Sequence, residues 1–224
     1  ALVPQVYLLA KDSDITTHGA VISAKEIRGN MASLHNNGVI AGRDLTYFNT
    51  ESFKNSGTIL GNRIDLSAKQ SLVNLAGKIE AVDFLRLSAN KKLEIAGTLS
   101  DTESKYGNIE RTSLDKTATV SVTGENGRLI LQSDGDITLK AADITSKGTI
   151  AAEAKELNIT TANIKNKEHY NGNADNYYRL DQKSEIGSRL KGNNGVTLIA
   201  ENEAILRQAE ITSPNGNVTV AAKQ

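Results

Sequence analysis

The sequence predicts an all-β solenoid of about nine stacked coils, interrupted by two excursions. Three observations carry this. Glycines recur at Gly19, Gly38, Gly57, Gly77 and Gly97, a spacing of roughly 20 residues. Apolar positions keep the same register between them. The composition has 18 Gly, 2 Pro, no Trp and only 6 Tyr and 3 Phe, which suits thin stacked units better than a core filled by large aromatics.

Positions 1–100 read as a run of such coils. The stretches after the glycines are alike: GAVISA, GVIAGR, GTILGN, GKIEAV and GTLSD. Asn37, Asn55 and Asn74 precede three of the glycines, and Gly and Asn are expected at corners that need positive φ. One apolar ladder runs Ile40, Ile59, Ile79, Leu99; a second pairs Leu45/Tyr47 with Ile64/Leu66 and Leu85/Leu87; a third runs Phe53, Leu72, Leu93. The i, i+2 alternation points both members of a pair to one face, so each coil offers three short strands. Leu72, Leu75, Ile79 and Val82 also fit helical spacing, but Gly77 interrupts that window and the long-range register has no helical explanation.

Positions 101–118, DTESKYGNIERTSLDKTA, carry no ladder residue at the expected offsets and form the first excursion. Positions 119–165 resume the coils. Leu129/Leu131, Ile137/Leu139 and Ile144 are followed one repeat later by Ile150, Leu157/Ile159 and Ile164. A sharper match spans a longer interval, where Asp136-Ile137-Thr138-Leu139 corresponds to Glu203-Ala204-Ile205-Leu206. Two coils fill most of that interval, and the remainder equals the length of the charged, Asn-rich second excursion, 166–190. Positions 191–224 return to the coil and end in mid-pattern, as expected of a piece of a longer rod. At about 4.8 Å per coil the rod is roughly 43 Å long.

The chain balances 26 basic against 26 acidic residues, so it lacks the cationic excess of a nucleic-acid binder. No apolar run approaches the ~18 residues of a membrane-spanning helix. Zero Cys excludes disulfides, thiolate metal sites and a cysteine nucleophile, and suits export. Asp44, Asp65 and Asp83 make a loose acidic edge on successive coils, read as solvated residues beside inward Leu. Of His18, His35 and His169, the first two lie on adjacent coils but out of step with the repeat, and two imidazoles with no third ligand make a poor zinc site; Asp134-Gly135-Asp136 reads as a corner. No nucleophile elbow, P-loop or dinucleotide fingerprint occurs. Neither a catalytic residue nor a cofactor or metal is expected; the rival reading is a polysaccharide-degrading enzyme of β-helical fold.

NNGVIAGRDL and NSGTILGNRIDL resemble the filamentous haemagglutinin repeats of large bacterial exoproteins. GRLILQSDGDITLKAADITSKGTIAAEAKELNI and GVTLIAENEAILRQAEITSPNGNVTVAAKQ resemble the second repeat class of those proteins. The resemblance implies a right-handed parallel β-helix, exported by two-partner secretion through a dedicated outer-membrane transporter. It implies a secreted or cell-surface monomeric rod that serves as an adhesin or as the shaft of a contact-dependent growth-inhibition toxin. The family's NPNG or NPNL secretion motif and its VENN motif do not occur in this sequence.

Tyr106, Tyr170, Tyr177 and Tyr178 are four of the 6 tyrosines, yet the two excursions make up less than a fifth of the chain. Tyr177-Tyr178-Arg179 has the composition of a binding hot spot. Two readings stand: these residues pack the excursion against the rod, or they contact a host or neighbouring-cell surface receptor, a glycan, or another rod. In the second reading Lys165, Lys167, Lys183, Arg189 and Lys191 flank the aromatic tip.

Overall fold

The computed structural model describes residues 6–9, 14–17, 19–104, 108–173 and 176–222, and among them every regular element is a strand. β1 (Val6–Leu9) and β2 (Asp14–Thr17) precede the long strands β3 (Val21–Asn36), β4 (Val39–Asn55) and β5 (Thr58–Leu75). β6 (Lys78–Ala89) and β7 (Lys92–Ala96) lead into a hairpin of β8 (Thr98–Glu103) and β9 (Ile109–Lys116). β10 (Ala118–Val122), β11 (Arg128–Ser133), β12 (Asp136–Lys140), β13 (Ala142–Ser146) and β14 (Thr149–Thr160) follow. A second hairpin, β15 (Ala162–Asn173) and β16 (Asn176–Ile186), leads to β17 (Arg189–Gly192), β18 (Gly195–Leu206), β19 (Glu210–Thr212) and β20 (Val218–Ala222).

Sixteen strands form one main sheet, and its pairs are parallel. Val21 pairs with Val39, Val39 with Thr58 and Thr58 with Lys78, so the pairing climbs by nearly the same step each time. The step widens to about twice that from Lys78 to Thr119 and from Asp143 to Arg189, because a hairpin is inserted in each. β5 pairs with both β6 and β7, and β14 with both β11 and β12, closing β5, β7, β12, β14, β11 and β6 into a ring of pairings. No described helix is long and apolar enough to cross a membrane.

The core lies along stacked inward positions. Ile40, Ile59, Ile79, Val120, Ile144 and Leu190 form one column at 0% exposure. Leu34, Phe53, Leu72, Leu93, Ile137 and Leu157 form another, equally buried. Apart from Phe53, whose ring packs against Phe48, these columns are aliphatic, which suits levels only about 4.8 Å apart. At the far end Val218 and Val220 are about half exposed.

Several expected positions differ. Strands are not short: β4 and β5 run 17 and 18 residues, bending through corners with register shifts at Gly42/Leu45 and Gly61/Arg63. The shift after Gly42 slips the side-chain alternation by one residue, so Leu45 and Tyr47 are half-buried while Thr46 and Phe48 stack on Ile64 and Leu66. Val120, not Leu99, stacks on Ile79; Leu99 is half-buried in the first hairpin opposite Leu114. Leu190, not Ile164, stacks on Ile144, and Ile164 lies opposite Ser184 in the second hairpin. The long-range sequence match holds through Glu156, which pairs with both Asp136 and Glu203.

Four of the five repeated glycines answer crowding rather than positive φ; Gly19 alone takes the left-handed conformation, at φ 63°, with nothing close to where a Cβ would stand. A Cβ on Gly57 would stand 2.2 Å from the Gly38 carbonyl oxygen, and one on Gly38 at 2.2 Å from that of Ala20. A Cβ on Gly77 would meet the Asn55 and Asn74 amides at 2.3 and 2.4 Å. Among non-glycine residues the left-handed conformation falls on Ala76, Ala141 and Gln208, at φ 54°, 47° and 45°, where one residue turns the chain from one repeat into the next. Asn36, rather than Asn37, joins Asn55 and Asn74 in a fully buried stack. Asn36 Nδ2 donates to Asn55 Oδ1 at 2.8 Å, and Asn55 Nδ2 to Asn74 Oδ1 at 2.7 Å.

Candidate functional site

Both excursions are β-hairpins, and they leave the main sheet at the corner that Ala141 and Gln208 turn in single residues. The first spans Thr98–Lys116 and the second Ala162–Ile186, against expected bounds of 101–118 and 166–190. The second hairpin has the expected length but starts one helical-turn's worth of chain earlier, at Ala162. They are not separate loops. β9 pairs antiparallel with β15, giving a four-stranded side sheet in the order β16-β15-β9-β8.

Charge and polarity hold this sheet together. Lys165 and Lys167 each donate to Glu110 at 2.6 Å, and those bonds hold the Glu110 carboxyl well below its ordinary range, at about 2. The Lys165 bond raises that lysine's pKa in return. Arg111 donates through Nε to Asn166 at 3.1 Å and pairs with Glu168. Thr112 donates to Asp101 at 2.6 Å across the first hairpin, and the His169 amide donates to the Asn108 carbonyl at 2.7 Å. Glu110 and Arg111 were not singled out by sequence. Their partners come from the other hairpin, far along the chain, so nothing local marked them.

The second hairpin carries the aromatic tip. Tyr170 lies opposite Tyr178, Asn171 opposite Tyr177, and His169 opposite Arg179. Tyr170, Tyr177 and Tyr178 are 54%, 68% and 51% exposed, and Arg179 is exposed. Each of these rings is more than half exposed. Gly172 sits tightly beside them, since a Cβ there would stand 3.0 Å from the Asn176 carbonyl oxygen and from the Tyr170 hydroxyl. Tyr106 lies outside the described residues. Of the flanking cations, Lys165 and Lys167 serve Glu110, and Arg189 grips both oxygens of Asp143 at 3.0 and 2.8 Å. Lys183 lines an open groove of about 890 Å³ with Lys165, Ile164, Glu185 and Gln208.

The acidic edge does not converge. Asp65 stacks on Arg86, which donates to it at 2.9 and 2.6 Å, while Asp44 pairs with Arg43 at 3.1 Å and Asp83 is exposed. Among the described residues no three His, Cys, Asp or Glu side chains gather closely enough to hold a metal ion. His18 lies outside the described residues, and His35 is half-buried, paired along the stack with Thr16 and Lys54. Comparison with protein-family models, curated proteins and solved structures returned no match.

Proposed function

We propose that this chain is a rod segment of a large secreted bacterial exoprotein, folded as a right-handed parallel β-helix. The rod displays the side sheet, and the Tyr170, Tyr177, Tyr178 and Arg179 tip contacts a receptor or glycan on a host or neighbouring cell. The role is adhesion, or that of a shaft carrying a growth-inhibition toxin, and it involves no catalysis. One observation carries the reading: like residues stack on like at one-repeat steps, down to the buried Asn36, Asn55 and Asn74 amides. A fold in which each repeat is stabilised only by its neighbours can form as the chain emerges from an outer-membrane transporter, with no distant contact needed.

The test has two parts. Native full-length protein found only in the cytosol of the producing cell overturns secretion. For the tip, Tyr177→Ala/Tyr178→Ala should abolish adhesion to target cells while leaving the far-ultraviolet circular dichroism unchanged. Undiminished adhesion by that variant refutes the assigned contact.

A further inference from the structure

The side sheet has two free edges, β8 and β16, and β16 pairs on one side only, with β15. A free edge invites another strand, and edges are normally blunted by charged side chains or by a covering element. Gln208 reaches only the base of β16, donating to Glu185 at 3.1 Å, and the charges along the rest of the strand are of both signs, so a partner strand can match them. They alternate in sign at every second residue: Arg179, Asp181, Lys183, Glu185. Residues two apart share a face, so all four line one side of the strand. Arg179, Asp181 and Lys183 are exposed and make no ion pair among the described residues, while Glu185 meets Arg207 at 3.5 Å.

We propose that β16 pairs antiparallel with β16 of a second copy of this chain, centred on Gln182, joining two side sheets into one. A two-fold axis sets residue i opposite the partner residue that mirrors it about the centre. Centred on Gln182, Arg179 faces Glu185, Asp181 faces Lys183, and Tyr178 faces Ile186. Every charge on that face then meets its opposite. Moving the centre to Asp181 sets Arg179 against Lys183, and moving it to Lys183 sets Asp181 against Glu185. Like charges directly opposite disfavour both neighbouring registers, and centres on Leu180 or Ser184 match only one kind of opposite pair where Gln182 matches two, so the charge pattern favours the Gln182 centre. The dimer replaces the expected monomeric rod with two rods on opposite sides of a shared sheet. It does not depend on the tip's binding a cell surface.

The experiment is sedimentation equilibrium of the purified chain at low and high salt, with three variants. The parent should show a concentration-dependent dimer that weakens as salt rises. Asp181→Lys and Lys183→Glu each place like charges opposite twice across the two-fold, which should weaken the dimer by about tenfold or more. The double swap Asp181→Lys/Lys183→Glu restores opposite charges and should restore the dimer. Circular dichroism establishes that each variant is folded, and either single swap suffices if the other is not. A parent that stays monomeric overturns the proposal. So does a dimer indifferent to the single swaps, or one lost in them and not recovered in the double.

Discussion

Replacing Asn55 by Ala tests what the buried amide stack contributes. Asn55 is fully buried; it accepts from Asn36 at 2.8 Å and donates to Asn74 at 2.7 Å and to the Gly57 carbonyl at 3.2 Å. Three bonds at about 1 kcal/mol each give ~3 kcal/mol, and leaving the buried Asn74 Oδ1 without its donor adds about 1–2 kcal/mol. Asn55→Ala should therefore cost roughly 4–5 kcal/mol. Asn55→Asp keeps the acceptor for Asn36 but aims a carboxylate at the Asn74 and Gly57 oxygens, so it should cost more at neutral pH. Urea unfolding followed by far-ultraviolet circular dichroism reads both. A loss below about 0.5 kcal/mol for Asn55→Ala would show that the stack is not a stabilising feature and would refute the reasoning.

Thr46 stands in a core column between Ile27 and Ile64, and its hydroxyl finds no hydrogen-bond partner among the described residues. Thr46→Val keeps the shape and removes a buried polar group, so it should raise stability by about 1 kcal/mol in the same urea assay. Deleting positions 161–186 leaves Gly187 at the corner that Ala141 and Gln208 turn at positive φ, so the main sheet should fold with its strand signal intact; a collapse of that signal would make the second hairpin a structural necessity. The Glu110 carboxyl is depressed from 4.5 to about 2, so its contribution is present above pH 4.5 and is lost as pH falls toward 2. Amide protection at positions 109–112 and 165–168, taken relative to the intrinsic exchange rate at each pH, should fall across that window, and Glu110→Gln should remove that fall.

Much of the fold was legible because stacking imposes a period on the chain. Neighbouring repeats sit one strand spacing apart, so a residue that suits the interior at one level suits it at the next. Ile40, Ile59 and Ile79, the glycines at Gly38, Gly57 and Gly77, and the echo of Asp136–Leu139 in Glu203–Leu206 all follow from that constraint. The size of the second insertion followed too, as the remainder after whole repeats. Register within a repeat was not legible. The shift at Gly42 depends on how the backbone bends at a corner, and a one-residue slip exchanges Leu45 and Tyr47 for Thr46 and Phe48. The side sheet was equally hidden: Glu110 meets Lys165 and Lys167 only because the stack brings two corners, far apart along the chain, to adjacent heights. Periodic contacts are written in the sequence because each repeat restates them. A contact made once, between segments distant along the chain, exists only when the fold sets its two halves side by side.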